Sequence, residues 1–168
     1  SNYGINIGTE AELAEATLAF TSRIFTPKTN TAESVSIEIK DGKTLWLLVG
    51  DTGNGNSNDW AVWIDPEFIH EDGTATALTS LEWNDAETKW GQGHNNKTCE
   101  GGELHVFGNP VDGIGTHADS FISYAIPESA TGFRCKVAAD DGGAARPGSA
   151  TSIQFEVYVE SKRDEAFI

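Results

Sequence analysis

Five tryptophans are many for 168 residues, and three of them, Trp60, Trp83 and Trp90, stand beside polar loops. A flat indole can stack on the C–H face of a sugar ring. Carboxylates, amides or a histidine at fixed spacing must then meet the hydroxyls, each of which both donates and accepts. Such a site needs no depth, because surface loops on a rigid sheet supply its parts. Burial is the competing reading for each of the three indoles. Trp46, inside the apolar run Leu45–Val49, and Trp63, alternating with Ala61 and Asp65, are expected in the core.

His117 is the next candidate. It follows Gly113-Ile114-Gly115-Thr116 and precedes an alternating segment, with Phe121 and Ser123 on one face and Ile122 and Tyr124 on the other. That pattern predicts a strand entered through a glycine-shaped bend. His117 would then sit where loop meets sheet, either binding a ligand or tying the loop down. Arg134 precedes Cys135 on the opposite face of another predicted strand. It could reach the same site, or simply pair with one of the many acids.

The loop Asp51 to Asp59, with Asn54, Asn56 and Asn58, offers hard oxygen ligands, Asp51 and Asp59 first among them. Calcium takes about six to eight such oxygens. The spacing is not that of an EF-hand, and an ordinary Asn/Gly turn explains the composition equally well. Asp140-Asp141-Gly142-Gly143 is a second, similar stretch. Cys99 and Cys135 show no zinc spacing; a disulfide between them is open in an oxidising compartment. No nucleophile elbow, His-Glu-x-x-His or phosphate-binding loop occurs. In so acidic a chain, carboxylate pairs are no signal of glycosidase chemistry.

The elements that must carry these residues read mainly as strands. Thr9–Ala19 is the one helical-looking segment, with Thr9 and Glu12 in capping-box spacing. Phe20–Phe25 reads as a strand. Ser34–Lys40 alternates, with Val35, Ile37 and Ile39 on one face. Leu45–Val49 reads as a central strand, and Asp59–Asp65 returns into the same body. His70–Thr76 is polar and linker-like, and Asp140–Ser149 is Gly-rich. Many short strands joined by Gly/Asn turns predict one antiparallel sandwich domain over 1–168, with a short N-terminal helix.

Net charge is −15, from 11 basic and 26 acidic residues. A phosphate backbone would be repelled, so nucleic acid is a poor partner. No run of apolar residues is long enough to span a bilayer. An acidic, methionine-free chain rich in Gly, Asn, Asp and Thr fits a secreted bacterial protein.

Gly113–Ala118, the strand after it and Gly132–Asp141 together resemble the NPCBM domain, a group of carbohydrate-binding modules that overlaps family 51. Leu81-Glu82-Trp83 followed by Trp90-Gly91 resembles the family's opening strand, and Ser152–Val159 its middle strand. Residues 34–67 resemble the piece with which members normally end, so the halves stand in swapped order, as a circular permutation or a cut across tandem copies would leave them. Asp59, Trp63 and Asp65 match that piece. Trp60 and Val62 stand where members often carry His and Asp, which puts galactose-type specificity in question. The resemblance implies a jelly-roll or galactose-binding-like sandwich. It also implies polar sugar contacts from Glu82 and His117, beside a platform from Trp83 or Trp90.

The leading expectation is a non-catalytic sugar-binding module within a larger secreted or cell-surface protein. It would hold a glycan-active enzyme on polysaccharide or glycan, with calcium as an optional structural ion. A cell-surface interaction domain without sugar is the first alternative and requires Trp60, Trp83 and Trp90 all buried. A small glycan-active enzyme is the second.

Overall fold

A computed structural model describes residues 15–162. The strands in chain order are β1 (Thr17–Thr21), β2 (Glu33–Glu38), β3 (Gly42–Gly50), β4 (Trp60–His70), β5 (Ala75–Ala77), β6 (Asp85–Thr88), β7 (His94–Asn95), β8 (His105–Val106), β9 (Asn109–Pro110), β10 (Gly113–His117), β11 (Ser120–Ala125), β12 (Ala130–Ala139) and β13 (Gln154–Ser161). A 3-10 turn at Leu78–Ser80 and one helical turn, α1 (Asp141–Ala144), are the helical pieces among the described residues.

The long strands form two antiparallel sheets. One runs β1-β13-β3-β11-β6; the other runs β2-β12-β4-β10-β7, with β5 beside β4. The apolar run Leu45–Val49 becomes β3, the centre of the first sheet, as expected of a strand with no polar face. The alternating Ser34–Lys40 segment supplies β2, an edge strand paired with β12. It therefore shares a sheet with β12, β4 and β10.

Between the sheets lies one apolar core. Leu45, Leu47, Val49, Ile122, Phe155 and Val157 enter from one side, and Trp63, Phe68, Ile114, Phe133 and Val137 from the other. Trp63 meets Phe155 edge-on, with ring centroids 5.0 Å apart and planes at 86°. Each such side chain stabilises the fold by about 1.5–3 kcal/mol relative to exposure. Gly115 matters here for space, since a Cβ there would lie 2.1 Å from the Lys97 carbonyl oxygen. The loop after β7 can thus lie directly on the strand.

Several elements differ from expectation. Of the helix expected over 9–19, residues 9–14 lie outside the described residues, and Thr17–Ala19 belong to β1. There β13 offers an unpaired edge, and its ladder outweighs local helix propensity. Trp46 is buried, but with Leu48, Phe121 and Tyr158 in a second cluster. Its position alternates with Leu45 and Leu47, so it faces away from the shared core. Leu81–Trp83 is irregular; the strand begins at Asp85. His70–Thr76 is no linker but a hairpin turn joining β4 to β5, with the His70 ring bonded to Ser129 and Thr76 hydroxyls. Asp140 caps α1 by accepting from the Gly142 amide, so the Gly-rich stretch contains a helical turn. Cys99 and Cys135 are both buried and free, so no disulfide joins them. Burial raises both thiol pKa values, that of Cys99 to about 12.

Candidate functional site

Strand register builds the site. In the β10–β4 ladder His117 stands opposite Trp60, and the Ala118 amide donates to the Asp59 carbonyl at 2.9 Å. This brings the ends of two sequence-distant strands, with their loops, to one edge of the sandwich. A shallow hollow of about 250 Å³ opens there, lined by Asn56, Ser57, Asn58, Trp60, Trp90, His117 and Arg146.

Trp90 enters from the loop after β6. Gly91 follows it at φ +66°, and a Cβ there would lie 2.7 Å from the Cys99 carbonyl oxygen. Thr88 Oγ1 donates to the Gly91 carbonyl, and the Gln92 amide donates to Cys99. The tight turn leaves Trp90 46% exposed, its ring centroid 5.0 Å from that of His117 and 6.1 Å from that of Trp60. Trp60 itself is 5% exposed. Gly142 and Gly143 of α1 lie against its ring, where a Cβ on Gly142 would come within 2.4 Å of Trp60 Cζ3. The Arg146 guanidinium lies over the same ring, 4.9 Å from its centroid, and its Nε donates to the Gly142 carbonyl at 2.7 Å.

His117 is 4% exposed. Its Nδ1 lies 2.7 Å from the Ala118 carbonyl oxygen. A carbonyl only accepts, so Nδ1 carries the proton, and Nε2 of the neutral ring is an acceptor. Burial holds the His117 pKa below the usual 6.5, against the Ala118 bond and the Asp119 carboxylate, which raise it. The ring is therefore neutral at physiological pH.

Beneath the hollow, Asp59 is fully buried. Its Oδ1 accepts from the Ser152 amide at 2.8 Å, while Oδ2 has no partner among the described residues. Burial pushes its pKa up to about 8; the Ser152 bond lowers it, and Asp51 and Asp119 raise it further. Asp51 Oδ1 accepts from Gly53, and Asp119 Oδ1 accepts from the Asp51 amide. Among the described residues no three His, Cys, Asp or Glu side chains group to hold a metal ion. Calcium at Asp51 and Asp59 would have to draw on amide and backbone oxygens of the loop.

The candidates named from sequence separate. Trp60, Trp90 and His117 come together. Glu82 and Trp83 follow the 3-10 turn, whose strand β5 pairs with the Glu67–Ile69 end of β4, away from Trp60. Glu82 is exposed there, and Trp83 packs partly buried against the core. The structure does not bring Glu82 beside His117, contrary to expectation. The reason is antiparallel register: β6 pairs with β11 with Asp85 at Ser123 and Thr88 at Ser120. Residues before β6 and residues before β11 therefore leave the sheet at opposite ends. Arg134 pairs with Glu67. It lines a larger hollow of about 540 Å³ whose lining includes Val35, Ile64, Phe107 and Val111. That hollow is the bigger one, yet it holds neither His117 nor any of the tryptophans.

The sequence does not single out Arg146 or Ser57, and it offers Asn56 and Asn58 only as metal ligands. Their signal was the pair of Gly/Asn-rich loops, which the strand register closes around Trp60.

The model of the NPCBM/NEW2 domain family matches residues 13–69 and 74–165. No curated protein and no solved structure matches the chain.

Proposed function

The chain belongs to the NPCBM/NEW2 domain family, a family of carbohydrate-binding modules, and on that footing we propose that it binds sugar in the hollow between Trp90 and His117. One observation carries this reading: an indole that the fold leaves half exposed is fixed against a neutral imidazole whose Nε2 accepts. The indole provides the apolar platform. The imidazole takes a hydroxyl proton, and the Asn56 and Asn58 side chains supply further polar contacts.

Among the described residues the hollow's lining contains no carboxylate, which favours binding over glycoside hydrolysis, a reaction that needs two. The exposure of Trp90 also counts against an interaction domain with every loop tryptophan buried. Service as an appendage of a secreted, multidomain glycan-active enzyme belongs to the same proposal. No helix among the described residues is long and apolar enough to cross a membrane. Calcium at Asp51 and Asp59 is a separate proposal, supported by the partnerless Oδ2 of Asp59.

A glycan array followed by calorimetry on the chain tests the site. Binding lost in both Trp90→Ala and His117→Ala, with Glu82→Ala unaffected, is the expected result. Binding indifferent to Trp90 and His117 would move the site elsewhere.

A further inference from the structure

We infer, resting on the sugar-site reading above, that the hollow selects glycans bearing an anionic substituent, a carboxylate or sulfate ester, which Arg146 holds. The chain has 26 acidic and 11 basic residues, yet among the described residues the only side chain in this lining with a permanent charge is a guanidinium. Among the described residues Arg146 has no carboxylate partner. Arg134, by contrast, is neutralised by Glu67. Arg23 likewise has no carboxylate ion pair among the described residues, but its Nη2 is spent on the Thr31 carbonyl and hydroxyl.

Arg146 is also fixed in place. Stacking over Trp60 and the Nε bond to Gly142 hold the guanidinium plane. The Nη groups, with no partner among the described residues, remain as donors. Asn58 adds to them: its Oδ1 already accepts from the Ala150 amide, leaving Nδ2 to donate. A hydroxyl satisfies a donor and an acceptor together, whereas a cluster of donors around a guanidinium fork suits an oxyanion. The acidic surface repels anions at range, but salt screens that field beyond about 8 Å at physiological ionic strength. At contact the guanidinium dominates.

The experiment compares four probes by calorimetry: a uronic-acid oligosaccharide, the same oligosaccharide with its carboxyls reduced to alcohols, a sulfated oligosaccharide, and its desulfated form. One acidic form should bind on the order of tenfold or more tighter than its neutral twin; which one does so identifies the substituent. Arg146→Gln should remove the difference, and Arg146→Lys should keep only part of it, because a point charge lacks the fork. Melting of each variant near that of the parent certifies its fold. Equal affinities for both twins of each pair, or a preference that survives Arg146→Gln, overturns acid selection. If neutral sugars still bind in a Trp90- and His117-dependent way, the site reading stands without it. If none of the four binds, acid selection falls, while the glycan array still decides the site reading.

Discussion

The indole of Trp90 lies against the imidazole of His117, with centroids 5.0 Å apart and planes tilted by 50°, although 27 positions separate the two in the sequence. Neither residue can be altered without touching the other's surroundings, but their exposures differ sharply. Trp90→Ala should abolish sugar binding and leave the melting temperature close to that of the parent, because the indole is half exposed. His117→Ala should abolish binding and also destabilise by about 1–3 kcal/mol, since it removes a buried hydrogen-bonding group. At ~2–4 °C per kcal/mol for a chain of this size, calorimetric melting separates the two variants.

Binding of a neutral sugar should weaken in acid. Protonation converts the Nε2 of His117 from acceptor to donor, and burial sets that event below pH 6.5. Stability moves the same way. The folded pKa is depressed, so the contribution is present above the unfolded value and is lost as pH falls through the folded one. Titration of a neutral ligand between pH 7.5 and about 5 checks the binding, and His117→Gln should flatten both curves.

Asp59 has the opposite sign. Its pKa is raised to about 8, so its buried neutral form is present at low pH and is lost as pH rises through that value. Asp59→Asn mimics the neutral carboxyl and should raise the melting temperature at pH 8 or above relative to the parent, with little change near pH 4. Calcium would alter this pattern. If it binds at Asp51 and Asp59, chelator should lower the parent's melting temperature, calcium should restore it, and Asp59→Asn should not respond. A parent curve unchanged by chelator removes calcium.

Gly91→Ala should act on binding through Trp90. Alanine at φ +66° costs about 1–2 kcal/mol, and its Cβ would meet the Cys99 carbonyl oxygen at 2.7 Å. The turn must open, carrying the indole off His117. The expected outcome is a shift in tryptophan emission, weakened sugar binding and a melting temperature lower by several degrees. Unchanged binding would show that the turn does not set the platform.

Much of the fold was legible because strand signals are local. Alternation at Val35, Ile37 and Ile39 marked β2, and the unbroken run Leu45–Val49 marked the central β3. Period 2 also sorts Ile122 and Tyr124 into the core and Phe121 away from it. Local pattern could name His117, Trp90 and Trp60 as loop-side candidates, but not their company. That was decided by cross-strand register: His117 opposite Trp60 gathers the loops bearing Asn58, Trp90 and Arg146. The pairing of Thr88 with Ser120 leaves Glu82 at the other end. Register depends on hydrogen bonds between segments distant in the chain, and no window of neighbouring residues contains that information. The same holds for charge. Composition showed an acidic chain, and only the packing of α1 against Trp60 put Arg146 at the hollow without a carboxylate partner among the described residues.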